Sequence, residues 1–336
     1  MNIAFLLLAG AGLFEEDLKL SKPVREEQYA QMKAYAAALK EKKPPEGASL
    51  AARIGYPAPQ IKAKGEPRIE KIGEDDLGTY HRMWIRVAPQ MEVYGLYIVP
   101  KNAKLPAPLM ISQHGGAGFP ELALFHGGAN YHDMIRGAVK EGYVVWAPLT
   151  VMHPRRDVQQ HGGSAIPEDL RQQLDGELRA KGTSLAAVEV SKIGASLDVI
   201  LKRKEVDAKR VGMTGLSYGS YYTLYAAALE KRITAAAGSC GMRVEAAVTE
   251  GMEEKPSGRL IDMRGDNVAA MIYPRPLHLQ FGLKDALLKI ETVRPVAELA
   301  KDAYKNAADK FEYLEFDGGH EFRGEPVWAF FRKWLK

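Results

Sequence analysis

A strand that must turn at once into a helix through two glycines and a serine leaves a chain few folds to choose from, and Gly215-Leu216-Ser217-Tyr218-Gly219 demands such a turn. Arg210–Thr214 before it is short and apolar enough for a buried strand, and Tyr221–Leu229 after it is a run of helix formers. The glycines leave no side chains to obstruct the turn, so the Ser217 hydroxyl projects alone from the top of a sheet, the presentation of a nucleophile in the G-x-S-x-G pattern. The plainer alternative is a Gly-Ser turn that caps an ordinary helix.

A serine hydroxyl is a weak nucleophile without a base, and the oxyanion it creates needs preorganised donors. Both have candidates. Upstream, Leu109-Met110-Ile111 leads into His114-Gly115-Gly116-Ala117-Gly118, whose small residues let backbone N–H groups approach a substrate. That segment is similar to an H-G-G-G-type oxyanion loop. His114 is a candidate contact to substrate. Downstream, Lys310–Phe316 alternates as a strand and runs into Asp317-Gly318-Gly319-His320, which sets His320 on a loop beyond a strand end. The carboxylate to orient it should lie between Ser217 and His320 in this order of parts. Asp285 follows the apolar strand Leu277–Phe281 directly, with one helix (Glu291–Lys305) and one strand between it and His320. Asp317 is the alternative, although it lies on the same strand end as the histidine.

From Leu105 onward, short apolar runs alternate with helical stretches: Leu109–Ser112, Tyr143–Ala147, Arg210–Thr214, Ile233–Ser239, Leu277–Phe281 and Phe311–Phe316. Buried parallel strands read this way, with helices on both faces of the sheet. Before them come a helix over Val24–Lys40, a Pro-, Gly- and Lys-rich segment Lys42–Pro67 expected to be an extended wrap without a core of its own, and strands at Arg68–Gly73, Tyr80–Val87 and Val93–Val99. Pro89-Gln90 joins the last two as a hairpin turn would. The expected division is residues 1–20, residues 21–90 as an N-terminal extension, and a catalytic core over 91–336 with polar insertions at 153–182 and 250–266. Such insertions crowd the edge of the sheet where ligands bind; Arg155 and Arg156 in the first are candidates to clamp a substrate carboxylate, with a surface ion pair as the plainer alternative. Thr183-Ser184 caps an amphipathic helix, in which Asp198 is expected to be structural.

With 46 basic against 42 acidic residues spread along the chain, the net charge of +4 carries no electrostatic footprint for nucleic acid. The one cysteine, Cys240, excludes an internal disulfide and sits in an apolar run as a small buried residue. It is not on an elbow. Ile3–Ala9 followed by Ala9-Gly10-Ala11 resembles the apolar core and cleavage site of a signal peptide, although no Lys or Arg precedes it. Secretion or delivery to the periplasm is the expectation. No stretch approaches the roughly 20 apolar residues of a membrane span. The pairs His126/His132 and His153/His161 lack metal-ligand spacing, His320-Glu321 has Gly324 where a second histidine ligand would fall, and no phosphate-cradling or dinucleotide fingerprint occurs. Neither metal nor cofactor is expected.

On these residues the chain resembles the α/β-hydrolase superfamily, in its dienelactone hydrolase-like and acetyl xylan esterase-like branch. The resemblance covers about Glu92–Trp334. It is carried by Tyr94–Pro100, the His114–Gly118 loop, Gly142–Val145, Val206–Gly212 running into the elbow, and Tyr273–Leu277 before the acid strand. It implies an α/β-hydrolase fold, a mostly parallel central sheet with helices on both faces, preceded by an N-terminal extension that the family does not account for. It also implies Ser217, Asp285 and His320 as the catalytic residues, with the N–H of Tyr218 as one oxyanion donor and that of Gly116 or Ala117 as the other. Ala117 departs from the pattern, standing where the common loop has a third glycine. Dienelactone hydrolases proper use a cysteine nucleophile, so Ser217 points toward esterases. The implied activity is a serine carboxylesterase acting on small acyl esters, acetyl esters of carbohydrates among them. The alternatives are a prolyl-oligopeptidase-like peptidase, for which 90 N-terminal residues are too few to build a propeller, and a non-catalytic binding protein on a hydrolase fold.

Overall fold

The computed structural model describes residues 23–47, 49–116, 118–125, 130–150, 168–242 and 268–336. Its strands are β1 (Arg68–Glu74), β2 (Gly78–Ala88), β3 (Met91–Pro100), β4 (Ala107–Gln113), β5 (Val144–Pro148), β6 (Val206–Leu216), β7 (Ala235–Ser239), β8 (Leu277–Gly282) and β9 (Phe311–Phe316). Its α-helices are α1 (residues 23–38), α2 (Leu50–Ile54), α3 (Pro120–Phe125), α4 (Met134–Lys140), α5 (Glu168–Arg179), α6 (Leu185–Ile200), α7 (Tyr218–Leu229), α8 (Val268–Ile272), α9 (Ile290–Ala303) and α10 (Gly324–Leu335).

Among the described residues the strands make one nine-stranded sheet in the order β1-β2-β3-β5-β4-β6-β7-β8-β9. β2 and β3 pair antiparallel around Pro89-Gln90, with Ala88 opposite Met91. β3 then pairs antiparallel with β5, and from β5 to β9 every pairing is parallel. Successive side chains of a strand point to opposite faces, so each buried strand feeds two cores. In β4, Leu109 and Ile111 pack on the α6, α7 and α9 side with Leu197, Tyr222 and Val293. Met110, between them, packs on the other side with Met134 and Ile135 of α4 and Phe330 and Phe331 of α10. Strands covered on both faces need no polar alternation, which is why the parallel runs read as continuously apolar.

Two local features differ from the sequence-based expectation. Lys42–Pro67 is not extended throughout but carries the short helix α2; without a core of its own it packs on the shared one, with Leu50, Ile54 and Ala58 buried in the α6–α7 layer, and Thr183 and Ser184 donate hydroxyl hydrogen bonds to the carbonyls of Gly55 and Ile54. A five-residue helix is too short to show a helical period. Strand β6 begins at Val206, four residues before the expected start. Ser184 does cap α6, its Oγ accepting from Ala187 N at 3.1 Å, and Asp198 pairs with Arg232 at 2.7 Å. No helix of the described residues is long and apolar enough to cross a membrane.

Candidate active site

The parallel strands all end at one edge, and the loops leaving β4, β6, β7, β8 and β9 meet there. At the end of β6, Ser217 has φ 60° and ψ −120°, a conformation outside the regions that L-residues favour and one costing on the order of 1–3 kcal/mol. What holds it there is close packing. A Cβ on Gly219 would lie 2.1 Å from the Gln113 carbonyl oxygen, and one on Gly215 2.5 Å from the Gly219 backbone. Ser217 N donates to Ser239 O at 2.9 Å. Ser217 stands at the N-cap of α7, yet its side chain makes no capping hydrogen bond. The plain cap reading therefore does not describe it: the hydroxyl is not spent on the helix, and the residue is partly exposed. The Tyr218 N–H heads a twelve-residue helix whose dipole favours negative charge at that end.

Across β7 from the elbow, β8 ends in the turn that carries Asp285. Its Oδ1 accepts from the N–H groups of Leu287 (2.8 Å) and Leu288 (2.9 Å), which fixes the carboxylate plane. Its Oδ2 lies 2.7 Å from Nδ1 of His320, on the loop after β9. Burial pushes the Asp285 carboxyl up, but the hydrogen bond and charge of His320 and the two amides outweigh it and hold the group below the usual carboxylate value. The Asp285 side chain is 1 % exposed and that of His320 13 %. With Nδ1–H donating to Asp285, a neutral imidazole carries its lone pair on Nε2, for which no hydrogen-bond partner occurs among the described residues. Gly282 makes this meeting possible, since a Cβ there would lie 2.1 Å from Gly319 O. Asn130 buttresses the histidine loop, donating from Nδ2 to His320 O (3.1 Å) and accepting from Phe322 N (2.8 Å). The alternative acid, Asp317, turns away to Lys284 on an exposed surface.

The loop after β4 corrects one expectation. His114 is not placed to touch a substrate: it is 1 % exposed, its Nε2 accepts from Thr150 N at 3.0 Å, and its Nδ1 faces Gly115 O at 2.9 Å. Burial lowers its pKa to about 4, with the Lys192 and Arg25 charges acting in the same direction. It is a neutral brace between two loops. Gly115 N donates to the Tyr131 hydroxyl at 2.8 Å, and Gly116 lies in the following turn, partly exposed. Ala117, Arg155, Arg156, His126, His153, His161 and the expected signal segment lie outside the described residues. His132 contacts Glu321, Nε2 to Oε2 at 2.7 Å.

Two residues of the site escaped the sequence reading. Gln280, inside β8, donates from Nε2 to Ser239 Oγ (2.7 Å) and to Arg323 O (3.1 Å), tying β7 to the histidine loop. Cys240, directly after β7, has φ 47° and is fully buried. Its sulfur lies with a carboxylate oxygen of Asp285 and a ring nitrogen of His320 in a group whose atoms are all within 4.8 Å of one another. Convergence of three strand ends leaves no local sequence signal; the one hint was a polarisable residue at the end of an apolar run.

The sequence model of the dienelactone hydrolase family matches residues 93–308. The chain belongs to the dienelactone hydrolase family. The matched region holds Ser217, Cys240 and Asp285 and ends before His320. No functionally curated protein matches the chain significantly. Among solved structures, a glucuronoyl esterase from Solibacter usitatus is similar at a TM-score of 0.58 and 15 % identity, over 90 % of this chain and 91 % of that one. Acetyl xylan esterase 1 from Thermoanaerobacterium sp. JW/SL YS485 is similar at 0.54 and 17 %, over 89 % of this chain and 98 % of that one. At these identities the likeness establishes the shared α/β-hydrolase fold, with the mostly parallel sheet and flanking helices described above.

Proposed function

We propose that this member of the family is a serine carboxylesterase, with Ser217 as nucleophile, His320 as general base and acid, and Asp285 as the residue that orients the imidazole. The observation that carries the reading is a strained serine whose hydroxyl makes no capping hydrogen bond, at the end of β6, together with a buried carboxylate–imidazole pair at the same edge of the sheet, the imidazole keeping its second nitrogen unengaged. In this mechanism Ser217 Oγ attacks the ester carbonyl as His320 Nε2 takes the hydroxyl proton, and Asp285 Oδ2 stabilises the imidazolium. The tetrahedral oxyanion is met by Tyr218 N–H and a second N–H from Gly116 or Ala117. Collapse expels the alcohol with the proton from His320, and water, deprotonated by the same histidine, releases the acid.

The names of the structural neighbours support carbohydrate esters as the substrate class: the acetyl xylan esterase supports acetyl esters whose alcohol is on a sugar, and the glucuronoyl esterase supports esters whose acid is a sugar acid. The test is hydrolysis of p-nitrophenyl esters from acetate to octanoate, followed by acetylated xylan, by the wild type and Ser217→Ala. The expected result is turnover of the short esters that falls roughly 10⁴- to 10⁶-fold in the variant. No ester turnover, together with no labelling of Ser217 by a fluorophosphonate, would leave a binding protein on a hydrolase fold.

A further inference from the structure

We propose that Cys240, Asp285 and His320 together form a binding site for one thiophilic divalent cation of the zinc and cadmium class, and that filling it switches the hydrolase site off. The cation site stands on the three side chains themselves; the inhibition rests on the triad reading above.

Sulfur, carboxylate oxygen and imidazole nitrogen are the donor set that such borderline-soft cations take, usually four-coordinate with water completing the shell. Among the described residues these three form the group of His, Cys, Asp or Glu donors close enough to share an ion, all within 4.8 Å of one another. Metal–ligand bonds of about 2.0–2.3 Å in a tetrahedron set donor atoms roughly 3.3–3.8 Å apart. Asp285 and His320, now at 2.7 Å, would have to open slightly, and the Cys240 sulfur would have to close by on the order of 1 Å. Side-chain rotations of that size leave the strand ends where they are. The S–H donates to Glu321 O (3.5 Å) and Gly319 O (3.9 Å), contacts that the bound cation would replace.

The proton balance is explicit. Burial, with the nearby charge of Asp285, pushes the Cys240 thiol up to about 12, so it meets the cation as S–H. The S–H bond breaks, a metal–thiolate bond forms, and one proton goes to solvent. If the cation takes Nδ1, the ring proton moves to Nε2, which then cannot accept the proton of Ser217; if it takes Nε2, that lone pair is itself consumed. Either geometry removes the base. Because binding releases a proton, the apparent affinity rises with pH.

The chain has one cysteine, so thiolate-to-cadmium charge-transfer absorption in the ultraviolet reports on Cys240 alone. Full-length protein freed of metal by chelator is titrated with Cd²⁺ while this band and p-nitrophenyl acetate turnover are followed. The expected result is a band that saturates at one Cd²⁺ per chain, loss of turnover over the same concentrations, and reversal of both by EDTA. Cys240→Ser should lack the band and, relative to its own uninhibited rate, require at least about tenfold more Cd²⁺ for inhibition. His320→Gln keeps the thiol and should weaken the band's affinity by a similar factor. Absence of the band in folded wild type, or an unchanged band in His320→Gln, overturns the site. Inhibition of Cys240→Ser at the wild-type Cd²⁺ concentration overturns the switch. A chain that hydrolyses no ester still tests the site through the band, its stoichiometry and its response to His320→Gln, so failure of the esterase reading is told apart from failure of the cation site.

Discussion

His114 and His320 stand on the same edge of the same sheet, one directly after β4 and the other on the loop after β9, and their surroundings give them opposite properties. Around His114 the backbone uses both ring nitrogens and burial is complete, so the ring is neutral and fixed. Around His320 one nitrogen is bound by a carboxylate, which stabilises a cation, and the ring keeps contact with solvent. The difference teaches that residue type and place on the sheet do not separate a brace from a base. What separates them is whether the imidazolium has a counter-charge and whether the second nitrogen is left for chemistry.

The largest effect that could break this comparison comes from removing each ring in turn. His320→Gln should lower ester turnover by roughly 10³- to 10⁵-fold, with some loss of stability because the buried Asp285 carboxylate loses its counter-charge. His114→Leu leaves the buried Thr150 N–H without its acceptor and should cost about 1–3 kcal/mol of stability, with a smaller loss of turnover than His320→Gln. Steady-state kinetics and thermal melts of the two variants check this. Equal losses of turnover would mean that the oxyanion-side histidine takes part in the chemistry.

Next in size is the counter-charge. Asp285→Asn keeps the shape but offers an amide where Nδ1–H needs an anion, and turnover should fall on the order of 10⁴-fold. Because the folded carboxyl has a pKa below its unfolded value, Asp285 stabilises the fold above the unfolded pKa, and that contribution is lost as pH falls through the folded one. Acid unfolding of Asp285→Asn should lack this component; an acid limb unchanged from wild type would remove the stabilising role.

A third test uses the pH response of His114. Its folded pKa of about 4 lies below the ordinary value near 6.5, so between those values the unfolded chain binds a proton that the folded chain refuses. Stability should therefore be complete above pH 6.5 and decline as pH falls toward 4, by about 3 kcal/mol for this group alone. In urea unfolding at about pH 7 and about pH 4.5, the stability advantage of wild type over His114→Leu should shrink or reverse at the lower pH. An advantage constant with pH would mean that the ring is protonated inside the fold.

How far the sequence could be read follows from how local each signal is. The elbow, the Asp285 turn and the His320 loop are each written in a few consecutive residues: glycines where a Cβ would strike backbone, apolar strands before a polar turn. The parallel strands were legible because burial on both faces removes polar alternation. The role of His114 was not, since its partner Thr150 lies on another strand's exit and nothing beside His114 in sequence names it. Cys240 and Gln280 were missed for the same reason. Both act between β7, β8 and the histidine loop, neighbours only after the sheet is ordered. Helix α2 failed on length, its burial being a matter of where α6 sits.

The smallest expected effect sharpens the comparison most. Asp317 lies three residues before His320 in the chain, and on proximity alone it competes with Asp285 for the imidazole. The geometry separates them: Asp317 is 74 % exposed and pairs with Lys284, itself 71 % exposed, whereas the Asp285 side chain is buried and aimed by two amides. An ion pair so open to water contributes little, so Asp317→Asn should keep ester turnover within about twofold of wild type. Kinetics on this variant beside Asp285→Asn decide between proximity in the chain and preorganisation in the fold. If Asp317→Asn fell with Asp285→Asn, the histidine loop would have to swing outward during turnover, and the counter-charge that sets His320 apart from His114 would be shared between two carboxylates rather than held by one.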